Sequence, residues 1–142
     1  TLYRLENQAR IREQKYLNVL LIEDDEISAD FVGEMLKSFG YRVLIANTGE
    51  TAKNAVRRHR FDVALIDLIL PDASGYDIAK YFTDTLEQDE QPVMIALTGT
   101  TLESDKQKSL AAGMKYHLCK PVSVAELKKS IELSVNLRAL TA

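Results

Sequence analysis

Four apolar stretches of this chain each run into a polar residue suited to handling phosphate or a hard cation. NVLLI leads into Glu23-Asp24-Asp25-Glu26, FDVALI into Asp67, PVMIAL into Thr98-Gly99, and KYHLC into Lys120-Pro121. Carboxylates gathered at one place repel; two unit charges ~4 Å apart cost roughly 4 kcal/mol at an effective dielectric of 20. Three on one rim therefore call for a cation. Oxygen donors select a hard ion, and Mg2+ takes only a few protein ligands while keeping several waters. Lys120 adds a second positive charge, Thr98 a hydroxyl donor, and Asp67 a carboxylate able to form an aspartyl phosphate. Together these groups neutralise and position a phosphoryl group in transit.

Each residue taken singly has a plainer reading. An acidic run is usually a solvated turn or helix start. Asp67 alone reads as a strand-end cap, Thr98 as a turn residue, and Lys120 as a surface lysine. Asp72 and Asp77 read as a loop turn and a helix surface, His59 as a helix-surface residue, and Cys119 as a small strand residue. The joint occurrence favours a site, because separate strand ends each supply a group that one reaction needs.

The elements that must bring those ends together are legible as alternating patterns. Five short apolar runs cover Asn18 to Glu23, Tyr41 to Ala46, Phe61 to Asp67, Pro92 to Leu97 and Lys115 to Cys119. Three are nearly continuous in Val, Leu, Ile and Ala, as expected of strands buried on both faces of a parallel sheet. The second and fifth are mixed, which suits strands nearer an edge. Helical spacing fills the gaps. Ile27, Phe31, Met35 and Phe39 recur every four residues with Val32 and Leu36 alongside, and Gly40 ends that helix. Asn47 with Glu50, Thr100 with Glu103 and Ser123 with Glu126 resemble capping boxes. Ser74 precedes a helix with Tyr76, Ala79 and Phe82 on one side, and Leu86 to Pro92 is a polar loop. The last helix carries Val124, Leu127, Ile131 and Val135 on one face, with a second stripe of Leu133, Leu137 and Leu140. Strand-helix alternation implies parallel strands joined by right-handed crossovers. Five units are too few for an eight-stranded barrel, so an open sheet covered by helices on both faces is expected. Ligands then bind outside the carboxyl ends of its strands.

Residues 1 to 16 stand outside the five-unit pattern. Leu2, Leu5, Ala9, Arg12 and Tyr16 keep 3-4 spacing, but Arg12 and Tyr16 suit a linker helix better than a coiled-coil seam.

Composition bounds the function class. The 142 residues are 46% hydrophobic and 27% charged, within the range of one globular domain. The formal charge of -3 argues against a nucleic-acid groove, which usually needs a basic face. The single cysteine, Cys119, cannot form an internal disulfide and fits a reducing compartment. No apolar run approaches the ~20 residues that span a bilayer. These features suit a cytoplasmic protein, or the cytosolic part of a larger one.

The ordered motifs resemble the response regulator receiver domain over about residues 17 to 138. VLLIEDD, VALIDLILPDASG, IALTG, LAAGM and HLCKPV carry the likeness, with Asp67 lying 43 residues after Asp24, Thr98 31 after Asp67, and Lys120 22 after Thr98. The resemblance implies a flavodoxin-like doubly wound (βα)5 fold with a five-stranded parallel sheet in the order 2-1-3-4-5. With the likeness covering 17 to 138, residues 1 to 16 are expected as a linker or N-terminal helix and 139 to 142 as a tail. Asp67 then looks like the phosphoacceptor. Asp24, Asp25 and Asp67 look like the Mg2+ ligands, joined by the backbone carbonyl of Ile69. Thr98 is the expected switch hydroxyl, Lys120 the phosphoryl-binding lysine, and His117 stands at the switch position, often Tyr or Phe in the family. Pro121 is expected to follow a cis bond. Ile69 stands where a polar side chain would help orient water, so self-dephosphorylation is expected to be slow.

Implied partners are a histidine kinase or a histidine phosphotransfer protein. A homodimer through the face of the fourth helix, fifth strand and fifth helix is a further possibility. Neither nucleic acid nor membrane is an expected partner. The receiver of a hybrid histidine kinase is favoured over a stand-alone regulator.

Three rivals share parts of this pattern. An aspartate-nucleophile hydrolase typically needs a second Asp two residues after the first, where Ile69 stands. A flavodoxin-like FMN binder needs a first loop rich in Ser, Thr and Gly, and here that loop is acidic. A docking module of the same fold that is never phosphorylated remains as the alternative function, although no required residue is missing.

Overall fold

A computed structural model describes residues 16–99 and 102–141, with side chains as far as 136. Five strands form one parallel sheet in the order β2-β1-β3-β4-β5. They are β1 (Asn18–Ile22), β2 (Arg42–Ala46), β3 (Val63–Asp67), β4 (Val93–Thr98) and β5 (Tyr116–Cys119). The helices between and after them are α1 (Glu26–Ser38), α2 (Gly49–Arg58), α3 (Gly75–Thr85), α4 (Glu103–Ala111) and α5 (Val124–Thr141). The mixed runs are indeed the edge strands, and β3, buried at every position, lies at the centre. Among the described residues, no helix is long and apolar enough to cross a membrane.

Strand alternation explains why the central runs are apolar throughout. Leu20, Ile22, Ala64, Ile66 and Ala96 point to one face and pack with Ala52, Val56, Ile78 and Phe82 of α2 and α3. Val19, Leu21, Val63, Leu65, Ile95 and Leu97 point to the other, against Val32 and Leu36 of α1 and Leu127 and Ile131 of α5. Both faces are covered, so no strand position is free to be polar until the strand ends. Registers such as Ile22↔Ile66 and Asp67↔Leu97 bring those ends to one rim.

Several local expectations shift. The α1 stripe is out of phase by part of a turn. Ala29, Val32, Gly33, Met35 and Leu36 are buried, whereas Ile27 is 81% exposed and Phe31 59%. An apolar stripe wider than the contact face cannot all be covered. The box expected at Asn47 and Glu50 lies one residue on, where Thr48 and Thr51 cap α2 reciprocally. Ser74 and Ser123 cap their helices, accepting from the Asp77 and Glu126 N–H groups. Thr100 lies outside the described residues, and α4 follows Leu102, whose side chain has no capping atom. In α5, Val124 is exposed while Ser130 and Ser134 join Leu127 and Ile131 in the buried face. The polar loop before β4 contains a short 3-10 turn, Gln88–Glu90. Residues 1 to 15, expected as a linker helix, and the side chains of Leu137 and Leu140 lie outside the described residues. Tyr16, just before β1, is stacked by the Arg42 guanidinium at 4.7 Å from the ring centre.

Candidate functional site

The site is built where four strands stop, β1, β3, β4 and β5. Beyond β1, Glu23 still pairs with the sheet, its N–H donating to the Ala46 carbonyl at 3.0 Å, and its side chain is 1% exposed. Asp24 follows in the open. The next residue turns the chain into α1: the Asp25 carboxylate accepts the Ser28 N–H at 2.9 Å as the helix N-cap. That backbone hydrogen bond holds the Asp25 carboxyl below its usual range.

Asp67 ends β3 and is 7% exposed. Its Oδ1 accepts the Ile69 N–H at 3.0 Å and its Oδ2 the Lys120 Nζ at 2.9 Å. Lys120 also donates to Glu23 Oε1 at 2.5 Å, so one amine bridges two nearly buried carboxylates. Its own backbone N–H donates to the Thr98 carbonyl, which ties the end of β4 to the lysine. The Lys120–Pro121 bond is cis. Gly75 makes room behind the acceptor, because a Cβ there would lie 2.5 Å from the Asp67 carbonyl oxygen.

Glu23, Asp24 and Asp67 each offer a carboxylate oxygen within 4.8 Å of the other two. The structure therefore brings together Asp24, Asp67 and Lys120 as expected, but replaces Asp25 by Glu23 in the acidic cluster. The physical reason is local. Asp25 is spent on capping α1, whereas Glu23 is still in extended chain at the sheet end, beside Asp67. Thr98 is 5% exposed at the end of β4. His117, on edge strand β5, is half-buried, with neither ring nitrogen partnered among the described residues.

The electrostatics match this crowding. Burial, then the neighbouring Asp67, pushes the Glu23 carboxyl up to about 7. For Asp67, burial acts upward but is outweighed by hydrogen bonding from Glu23, the Ile69 N–H and Lys120, and its carboxyl lies below the usual range. Lys120 is likewise opposed by burial, yet its bonds to Glu23 and Asp67 raise it above the ordinary lysine value. A single amine thus serves two acids, and Glu23 Oε2 remains buried without a hydrogen-bond partner among the described residues. A divalent cation fits this donor set, since it would offset the carboxylate crowding that, after burial, pushes the Glu23 carboxyl up.

Residues 19–132 match the family described as the response regulator receiver domain. This chain belongs to that family. The receiver is 38% identical over 116 residues to the aerobic respiration control sensor protein ArcB of Escherichia coli K12, covering 82% of this chain but 15% of ArcB. Among solved structures it is similar to the receiver domain of sensor histidine kinase PA1611 from Pseudomonas aeruginosa PAO1. That likeness has a TM-score of 0.78 and 32% identity over 85% of this chain and 98% of the other, and that structure holds magnesium in its active-site cleft. It is also similar to a structure pairing the Saccharomyces cerevisiae phosphotransfer protein Ypd1 with the receiver domain of Ssk1. There the TM-score is 0.80 and the identity 28%, over 89% of this chain and 94% of the other. The receiver is accordingly a unit of a two-component phosphorelay.

Proposed function

We propose that this receiver accepts a phosphoryl group on Asp67 from a phosphohistidine, in a reaction that requires Mg2+ held by Glu23, Asp24 and Asp67. The observation that carries the reading is the Lys120 amine lodged between Glu23 and Asp67, with a third carboxylate, Asp24, beside them. An Asp67 oxygen attacks phosphorus while the phosphorus–nitrogen bond of the donor breaks. Lys120 leaves its bridging position to meet the phosphoryl oxygens, whose charge it offsets. Magnesium, when bound, would supply further neutralisation of that charge, with the Ile69 carbonyl as the backbone ligand. Incubation with acetyl phosphate and Mg2+ should add the mass of one phosphoryl group to the full chain, and Asp67→Asn should abolish the addition. A wild type that gains no mass would favour the docking-module alternative.

The product carries roughly -1.5 to -2 charge. Thr98 supplies the hydroxyl drawn to it, and His117 takes the space that Thr98 leaves. The two packings form a population shift read out on the α4-β5-α5 face, where a second copy or an effector binds. The donor is a histidine kinase or histidine phosphotransfer protein. Ile27, Phe31 and Ile69, all well exposed, lie in the segments that follow the acidic residues and give such a donor an apolar footing. The apolar Ile69 orients no water, which favours a long-lived phosphoryl group; Ile69→Asn should shorten its lifetime. The likeness to receivers of sensor kinases supports a place in a hybrid kinase, working on the cytoplasmic side.

A further inference from the structure

Asp72 lies outside the acidic cluster, yet it is the point at which the loop carrying the reactive strand end is fastened. The β3–α3 loop folds back on itself. Ile69 bridges Ser74 in antiparallel fashion, the Leu70 N–H donates to the Ala73 carbonyl at 3.2 Å, and the Gly75 N–H donates to the Leu68 carbonyl at 2.9 Å. Pro71 and Asp72 form its tip. From there the Asp72 carboxylate reaches α2: Oδ1 accepts the Gly49 N–H at 2.8 Å and Oδ2 the Glu50 N–H at 3.1 Å. These bonds hold the Asp72 carboxyl below its usual range. The first turn of a helix has N–H groups without intrahelical partners and a positive dipole end, so a carboxylate there is held by both. The work is divided, because Thr48 takes the third N–H, that of Thr51, at 3.1 Å. Gly49 permits the close approach, since a Cβ there would lie 3.2 Å from Asp72 Oδ1 and 2.9 Å from Ile78.

The base of the same loop touches the acceptor through the Ile69 N–H to Asp67 Oδ1. We propose that Asp72 is a positioning residue: by clamping the loop tip to α2, it holds the Ile69 peptide against Asp67 and so sets how the acceptor and its cation are presented. The inference rests on reading Asp67 as the phosphoacceptor.

Two readouts on the full chain test it. In the metal-free protein, Asp72→Ala should speed hydrogen exchange at the Ile69 amide roughly fivefold, the factor expected for losing about one net hydrogen bond. With acetyl phosphate as donor, the same variant should raise the Mg2+ concentration for half-maximal phosphorylation several-fold. Asp72→Asn, which keeps an acceptor oxygen, should recover part of both effects. Thr48→Ala loosens the same helix end without touching the loop; it should lower the melting temperature and leave both readouts unchanged. Asp72→Ala matching wild type in both, or Thr48→Ala reproducing both shifts, would overturn the proposal. Wild type that takes up no phosphoryl group would instead remove the Asp67 reading, while exchange at Ile69 would still decide whether Asp72 fastens the loop.

Discussion

Lys120 and His117 stand three residues apart at the same edge of the sheet and live in opposite surroundings. Around Lys120 the polar groups are densely joined: two carboxylates meet one amine, the Ile69 N–H meets Asp67, and the lysine backbone is tied to β4. Around His117 they are not. Its ring nitrogens have no partner among the described residues, and a cavity of about 350 Å3 opens beside it, lined by Lys106 of α4 and Glu126, Lys129 and Leu133 of α5. The covering helices differ in the same sense. The α1 helix buries five residues, whereas α4 buries only Ser109 and leaves Leu102 and Leu110 well exposed beside it. One side of the molecule is organised in advance to hold charge, which is what stabilising a transferring phosphoryl group requires. The other is thinly packed, and sparse burial is what the proposed switch would need.

The largest break in this comparison should come from Lys120→Met. Removing the amine leaves Glu23 and Asp67 facing each other nearly buried. Breaking a buried pair typically costs about 3–5 kcal/mol; with the Lys120 side chain 29% exposed, roughly 2–3 kcal/mol is expected. Urea unfolding would measure it, and phosphorylation from acetyl phosphate should fall by on the order of 100-fold. His117→Met, on the loose side, should change both far less.

Next comes the dependence on pH. Glu23 lies at about 7 in the folded protein against 4.5 for an ordinary glutamate. Between those values the folded state binds more protons than the unfolded one, so this group makes stability fall as pH rises, by at most about 1.4 kcal/mol per pH unit. Asp67 acts in the opposite sense in a separate window, below the ordinary aspartate value of 3.8, where its stabilisation is lost on acidification. Metal-free unfolding series from pH 5 to 8 should show the Glu23 slope. Glu23→Gln should flatten it, and so should saturating Mg2+. A slope unchanged in Glu23→Gln would place the protonation elsewhere.

The acidic run offers a third test. Asp24→Asn should weaken Mg2+ binding about tenfold by removing one charged ligand. Asp25→Asn should leave it nearly unchanged, since Asn also caps helices well. Calorimetric titration separates the two; equal losses would return Asp25 to the metal site.

That pair also shows where the sequence could and could not be read. The sheet was legible because parallel strands covered on both faces must be apolar throughout, and Val63 to Ile66 satisfies this without ambiguity. The rim was legible because Asp67 and Thr98 each end such a run and Lys120 follows the mixed edge run. Choosing between Glu23 and Asp25 needed the point at which strand becomes helix. A signal did exist, for Asp is a preferred N-cap and Asp25 stands three residues before Ser28. Adjacency to Asp24 hid it. Ile27 and Phe31 carried the right period and the wrong phase, because periodicity shows that a stripe exists but not how much of it a neighbour covers. The Asp72 clamp joins residues 22 and 23 positions apart. A lone Asp in a loop carries no mark of a distant helix end.

The smallest effect should be a gain in stability where Lys120→Met brings a loss. A buried polar atom without a partner costs the folded state its lost hydration, and replacing it by an apolar group of similar shape removes that cost. His117 places two such nitrogens beside the cavity, so His117→Phe should stabilise the unphosphorylated protein by about 1 kcal/mol, seen as a higher urea midpoint with an unchanged slope. Removal of Lys120 cannot do this, because two nearly buried carboxylates depend on its amine. If the ring nitrogens find partners only when the strand repacks around a phosphorylated Asp67, the gain should shrink or reverse in the phosphorylated protein. The difference between the two stability changes then measures how far His117 biases the switch. A destabilised His117→Phe before phosphorylation would show that the loose side is held by contacts through the imidazole, and the contrast between the two ends of β5 would fail.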